Sequence, residues 1–452
     1  MSFARSRLFP AAALACWVGL AAGCGDDAPP AGGDVGVGLD DRMGVNLLPV
    51  SDPRPPCNGP MDVRMYGAVG DGVQHDTAAI QSAIDACAKG GGIVVASAGT
   101  YLIGPLFLRT NTALELDSGS LLQGTSDMND YLAAAAQNGG AVPSLINGTS
   151  INNVTITGSG TIDGAGAPWW AASNAAAAAN QPDPFRPLLM DMKNVNGFTM
   201  QNVSLQNSPK FHVLLESSQN ITITGVTITS PSNSPNTDGI DPKTCKHVRI
   251  SGCHISVGDD NVAVTSAGNP SPTASDIVVT DCVFGAGHGV SIGSYTSGGV
   301  GSMTVQHCTY TGTQNGIRIK TARDRGGEMS NLIYDDLQMT NVRNAIYFTE
   351  YYPDIPMAGT DTAAVVTFTT PSIHDVTISN ITATGTRSAG VLIGVPESPI
   401  HDIQLENINI QAQTGLTVRN ASAINFSSSS ITVTGTGATP LVLQENAAVD
   451  GL

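Results

Sequence analysis

Charged side chains are scarce in this 452-residue chain, at 13% of residues, and aromatic ones are scarcer, at 5%. Basic residues are the minority among the charges. Lys and Arg number 20 against 37 Asp and Glu, a formal net charge of −17. That balance argues against non-specific binding to nucleic acid and against docking on an anionic lipid surface, since both need a cationic face. It also requires that a site for a polyanion gather its cations locally. Long apolar runs are missing apart from Leu8 to Leu20, which is too short and too poorly flanked to span a membrane. No Cys-x-x-Cys pair occurs, so the spacing of a structural zinc site is absent. Helical periodicity stands out at one place, from Asp76 to Cys87. There apolar residues recur at three and four behind an Asp/Thr cap, and Gly90-Gly91-Gly92 ends the pattern. What is plentiful is Gly, at 51, with Thr, Ser, Asn, Val and Ile in short runs, which is a β-rich signature.

Arg5 and Arg7 precede the Leu8–Leu20 run and Ala21-Ala22-Gly23-Cys24 follows it. The pattern is that of an export signal over residues 1–23, and its end resembles a bacterial lipoprotein box with Cys24 as the site of a lipid anchor. The product is then extracellular or anchored to the outer membrane of a bacterium. Residues 24–56 are rich in Gly, Pro and Asp without apolar periodicity, as in a disordered linker. The folded domain is expected over 57–452. Six cysteines remain there, enough for up to three disulfides in an oxidising compartment, with the pairing undetermined.

A loose repeat fills that domain. A turn residue leads into alternating Val/Ile and Ser/Thr, as in Asn153-Val154-Thr-Ile156, Asn220-Ile221-Thr-Ile223, His247-Val248-Arg-Ile250 and Asp276-Ile277-Val-Val279. It continues at Asn331-Leu332, Asp375-Val376 and Asp402-Ile403. Successive first apolar residues are spaced 248−221 = 27, 277−248 = 29 and 403−376 = 27. Such a period means a repeat architecture, and it is too short for a propeller blade of about 40–45 residues. An all-β, single-stranded right-handed parallel β-helix is the expected fold, with the Asp76–Cys87 helix capping one end of its apolar column. Ala172 to Asn180, beside Trp169-Trp170, reads as a loop or short helix between coils.

Four ionisable clusters follow at about one coil each: Asn236-Thr237-Asp238, Gly258-Asp259-Asp260, Gly287-His288-Gly289 and Arg318-Ile319-Lys320. Residues one coil apart lie about 4.8 Å from each other, so the clusters form one stripe. Arg318 and Lys320 share a strand face and make a paired cationic site for a carboxylate. Asp259 and Asp260 are adjacent, so the backbone must bend at Gly258 for both to reach the stripe. Glycosidic hydrolysis needs one carboxylic acid for the leaving oxygen and one carboxylate for water, and crowded aspartates keep one proton available.

These motifs resemble those of glycoside hydrolase family 28, the polygalacturonases. The likeness extends to Asp62-Val-Arg-Met-Tyr-Gly67-Ala-Val-Gly70-Asp71-Gly72, to Gly158-Ser-Gly160-Thr-Ile162-Asp163-Gly164 with Trp169-Trp170, and to Ser208-Pro209 through His212. It runs from about Met61 to the C-terminus. The resemblance implies an inverting hydrolase of α-1,4-galacturonosidic bonds, a monomer with galacturonan as substrate and no cofactor or metal. It implies Asp259 as general acid, Asp238 and Asp260 as the pair that activates water, and His288 beside the acid. It further implies Arg318, Lys320 and Asn236 as substrate-binding residues. Asn344-Ala-Ile346-Tyr-Phe-Thr-Glu350-Tyr351-Tyr352 resembles the stretch ending in the family's active-site tyrosine, placed at Tyr352 with Tyr351 as fallback. Asn261, Thr265 and Glu350 depart from the family pattern, where Cys, Lys and Gln are frequent. The histidine and the Arg-x-Lys motif favour plain galacturonan over rhamnogalacturonan.

Two alternatives carry weight. A pectate lyase shares the β-helix and eliminates with calcium, for which Asp238, Asp241, Asp259 and Asp260 are potential ligands. A β-helical adhesin would bind surface glycans without catalysis. Asn-Thr-Asp and Gly-Asp-Asp are each ordinary turn sequences, and only their order and spacing with His288 and the Arg-x-Lys pair single them out. The remaining histidines read as structural or exposed, with His212 a candidate for lining the cleft.

Overall fold

The computed structural model describes Cys57, residues 59–268 and residues 273–452. The expected leader, Cys24 and the linker lie outside the described residues. From Met61 to Asp450 the chain winds through parallel strands that stack coil on coil, forming a right-handed parallel β-helix.

The local cause is visible in the repeat. Asn153, Asn220, His247, Asp276, Asn331, Asp375 and Asp402 all adopt the left-handed conformation, with φ between 52° and 57°. Asn, Asp and His tolerate that region better than other side chains with a Cβ, and it turns the chain sharply into the next strand. The first apolar residue after each turn then points inward. Ile221 pairs in register with Val248, Val248 with Ile277, Ile277 with Met303, Met303 with Leu332, and so on through Val376 and Ile403 to Ile424. All of these side chains are buried. Coils missed by the sequence pattern include those at Phe198, Met303 and Ile424, which turn through Gly197, Ser302 and Ala423, also at positive φ. Outside the column, neighbouring turns are laced by Asn side chains: Asn220 Nδ2 donates to Asn196 Oδ1 at 2.7 Å, and Asn407 Nδ2 to Asn380 Oδ1 at 2.8 Å.

Helix α1, Thr77–Ala88, buries Ile80, Ala83, Ile84 and Cys87 against the amino-terminal end of the apolar column. Its expected Asp76 cap is not a cap. The Asp76 carboxylate accepts instead from Val69 N (2.7 Å) and Gly70 N (3.0 Å), fixing the preceding turn. Helix α2, Met128–Gln137, escaped the sequence pattern because Tyr131 and Ala135 are its only buried residues. Its signal was Asp127, whose side chain accepts from Asn129 N at 2.9 Å. Helix α3, Ala167–Ala178, covers the Ala-rich stretch.

Among the described residues one disulfide, Cys57–Cys87, joins the start of the domain to the end of α1. Cys245, Cys253, Cys282 and Cys308 are free thiols in the core. Cys253, Cys282 and Cys308 occupy equivalent inward positions of successive coils, where a thiol packs as a small apolar group.

Candidate active site

One sheet of the coil carries the ionisable clusters. Its strands Met190–Lys193, Val213–Glu216, Ile240–Lys243, Val262–Ser266, Val290–Thr296, Asn315–Lys320 and Asn344–Thr349 stack in that order. Ile240, Val262, Val290 and Ile317 form one buried column of this sheet, and the residue after each faces the cleft. Asp238, Asp260 and His288 each stand two residues before a member of that column. The turns they sit on are hydrogen-bonded in series: Gly239 N donates to Asp260 O at 2.9 Å and His288 N to Asp259 O at 2.9 Å.

The bend expected at Gly258 is present, because residues 257–261 lie between strands His254–Ser256 and Val262–Ser266. A Cβ at Gly258 would come within 2.1 Å of Ser234 O, so only glycine allows the turn to press against its neighbour. Thr237 Oγ1 accepts from Gly258 N at 2.9 Å, clamping one aspartate turn to the next. Asn261, fully buried, donates through Nδ2 to Ile255 O (2.9 Å) and Ala286 O (3.0 Å) and accepts from Gly289 N (2.8 Å). This departure from the family pattern therefore ties the aspartate turn to the histidine turn.

Asp260 is the most heavily bonded group. Its Oδ1 accepts from Arg318 NH1 at 2.9 Å and from Ser291 Oγ at 2.8 Å, and its Oδ2 from Lys320 Nζ at 2.7 Å. Burial alone would raise its pKa, but Lys320, His288 and Arg318 outweigh burial and hold the carboxyl well below the usual range. Arg318 and Lys320 do share one face, yet both rest on Asp260 rather than standing free. Asp238 and Asp241 behave in the opposite way. Burial, and then repulsion from neighbouring aspartates, pushes both well above the usual carboxylate range. Each keeps one buried oxygen, Oδ1, without a hydrogen-bond partner.

Asp259 is the most open of the three clustered aspartates, its side chain 23% exposed, and its Oδ1 lies 2.9 Å from His288 Nδ1. Burial works against a charged His288, but its bonds to Asp259 and Asp260 prevail and raise it to about 9. Ligand atoms of Asp259, Asp260 and His288 lie within 4.8 Å of one another.

The two tyrosines are now distinguished. Lys320 Nζ lies 5.3 Å and the Arg318 guanidinium 5.9 Å from the centre of the Tyr352 ring. Tyr351 is engaged elsewhere: its hydroxyl donates to Asp361 at 2.6 Å and its ring faces Arg323 and Arg419. Asn236 is not free either, since its Oδ1 accepts from Arg186 NH2 at 2.7 Å. Arg186, unnoticed in the sequence, has a fully buried side chain and donates also to Pro209 O (3.0 Å) and Pro235 O (2.7 Å). It fastens the Ser208-Pro209 turn to the Asn-Thr-Asp turn and pairs with Asp183 Oδ2 at 2.9 Å, and the sequence signal was only that Asp183 stands three residues before it. His212 does not line the cleft. It is fully buried, its Nδ1 donates to Asp238 O at 2.8 Å, and burial lowers its pKa to about 4.

The family model for glycosyl hydrolases family 28 matches residues 92–431. An endo-polygalacturonase of Pectobacterium carotovorum subsp. carotovorum is 32% identical over 360 residues, covering 76% of this chain and 86% of that protein. A polygalacturonase of Cryptomeria japonica is 30% identical over 388 residues, covering 83% and 71%. The solved polygalacturonase from Erwinia carotovora ssp. carotovora is 28% identical and superposes with a TM-score of 0.66 over 88% of this chain and 97% of that one. Together with the paired carboxyls in the cleft, these similarities establish that the chain is a glycoside hydrolase and belongs to family 28.

Proposed function

We propose that this chain hydrolyses the α-1,4-galacturonosidic bonds of galacturonan with inversion at the anomeric carbon. The observation that carries the reading is the pairing, within one cleft, of Asp260, bonded to Arg318 and Lys320, with Asp259, bonded to His288. Asp259 gives its proton to the leaving glycosidic oxygen as the C–O bond breaks. A water attacks the opposite face of the sugar, and its proton passes to Asp260, which is negative because Arg318 and Lys320 hold it so. Burial and the neighbouring aspartates raise Asp238, so it holds a proton more readily than Asp260 beside the same water. His288, charged below about pH 9, returns a proton to Asp259 across their 2.9 Å bond. Arg318 has a buried Nε with no protein partner, and with Lys320 and Tyr352 it supplies the contact for a substrate carboxylate.

Calcium-dependent elimination is the weaker reading on the chemistry of the donors. Asp260, central to any metal site here, already contacts two side-chain cations at 2.9 Å and 2.7 Å, and His288 adds a third positive charge. The deciding experiment incubates the protein with polygalacturonate and a chelator while reducing ends and ultraviolet absorbance are followed. New reducing ends without absorbance are expected. An absorbing, unsaturated product that vanishes with chelator would establish a lyase, and tight binding without product would establish a glycan-binding role.

A further inference from the structure

The cleft sheet does not end at Arg318 and Lys320. Beyond them Tyr347, Val391 and Thr417 continue the cleft-facing column that holds Arg318, one residue per coil, and all three stay partly open to solvent. The rim continues as well. Counted from the paired strand residues Val262, Val290, Ile317, Ile346 and Gly390, the residue three places earlier is in turn Asp259, Gly287, Gln314, Arg343 and Arg387. The edge that carries Asp259 therefore carries two arginines on the coils that follow Arg318. Ser388 N donates to Arg343 O at 2.9 Å, which holds their turns side by side.

Both side chains are exposed, and among the described residues neither guanidinium has a carboxylate, hydrogen-bond or ring partner. The other described arginines are all engaged by the protein, as Arg109 is by Asp85 at 2.8 Å, Arg249 by Asp276 at 2.7 Å and Arg323 by Glu397 and Asp361. In a chain with 37 acidic residues against 20 Lys and Arg, two unpaired arginines in line with the catalytic edge are the local gathering of cations that a polyanion needs. Arg343 acts on the cleft face: burial raises the Tyr347 hydroxyl, and the charges of Arg318 and Arg343 both oppose that rise. At the other end of the same strands residues 352–361 form the facing wall, held by Arg419 Nη1 donating to Pro356 O at 3.0 Å and by the Tyr351 hydroxyl on Asp361. Asp354 on that wall also acts on Tyr347, and it pairs with neither arginine.

A polyuronate carries one carboxylate per sugar. A chain lying along the stack with one carboxylate at Arg318 and Lys320 brings the next ones past Arg343 and Arg387, on coils that follow at about 4.8 Å each. Resting on the galacturonan reading above, we propose that Arg343 and Arg387 are accessory carboxylate-binding positions, which hold the uronate units that lie beyond the Arg318–Lys320 contact on the Tyr347–Thr417 floor. The preferred substrate is thus a continuous run of free uronates, longer than the catalytic residues alone would hold.

The test measures kcat and KM on galacturonate oligomers of increasing length and on polygalacturonate, for the wild-type protein and for the double variant Arg343→Gln/Arg387→Gln. Both side chains are exposed, so the variant should fold. The ratio of kcat/KM on polygalacturonate to that on the shortest oligomer cleaved should fall by about fivefold or more, through KM. Added salt should weaken polygalacturonate binding less in the variant than in wild type, and Arg343→Lys/Arg387→Lys, which keeps the charges, should recover most of the ratio. A ratio that stays unchanged in the folded double variant, whether neither value falls or both fall alike, would overturn the proposal. A wild-type protein that releases no reducing ends from any of these substrates would refute the hydrolase reading, a separate result. Retardation in gels containing polygalacturonate would then still read the two arginines: weaker retention of the double variant supports the binding positions, and equal retention overturns them.

Discussion

Asp260 and Asp241 lie on adjacent coils of one cleft, both nearly excluded from solvent, yet their surroundings push their pKa values in opposite directions. Asp260 has Arg318, Lys320 and Ser291 around it, whereas Asp241 has an oxygen with no partner and other aspartates nearby. Burial acts alike on both, so the partners decide: two cations outweigh desolvation at one site, and nothing does so at the other. The lesson is that carboxyl count does not predict the charge of this cleft. Position relative to the Arg-x-Lys strand does.

The comparison can be broken most severely at the proton donor. Asp259→Asn removes the most open carboxyl of the cluster, the one bonded to His288 at 2.9 Å, and kcat on polygalacturonate should fall by about 10³-fold or more. Circular dichroism and melting temperature should stay near wild type, since the Asp259 side chain is partly exposed and an amide at that position can still accept from His288 on the next coil. Near-normal turnover would refute its role.

A second substitution moves Asp260 toward Asp241. Lys320→Met deletes the largest stabiliser of the Asp260 charge, so its pKa rises. The base works only when ionised; wild-type Asp260 is ionised across the working range, and the variant should lose rate as pH falls through its higher pKa. A pH–rate profile should show a new acidic limb and about a 10²-fold loss near pH 4. A profile lowered uniformly at all pH values would mean that Lys320 serves substrate binding alone.

The smallest effect is expected at Asp241 itself. Its raised pKa means that the folded state holds the proton more tightly than the unfolded state, so stability is fully present at low pH and is lost as pH rises through the folded value. Asp241→Asn imitates the protonated form. Turnover should change by about threefold or less, and stability at neutral pH should rise by about 1 kcal/mol, measured by denaturant unfolding. A loss of activity as deep as that of Asp259→Asn would show that Asp241 works as a charged group.

The sequence by itself determined the coil. Turn residues that tolerate positive φ, each followed by an inward Val or Ile, dictate the repeat, because backbone sterics and side-chain alternation are local matters. Coils such as those at Phe198, Met303 and Ile424 were hidden because Gly197, Ser302 and Ala423 make the same turn less distinctively. The candidate site was legible as well, since Asp238, Asp259, Asp260, His288, Arg318 and Lys320 recur at the coil period and stacking brings one period to one place. Tertiary structure decided what each of them is bonded to. That Arg318 and Lys320 rest on Asp260, that Asn236 is held by Arg186, that Tyr352 rather than Tyr351 faces the cations, and that four core cysteines stay reduced are matters of contact between coils. So is the charge state of each aspartate, because desolvation and pairing depend on neighbours that lie some twenty to sixty positions away along the chain.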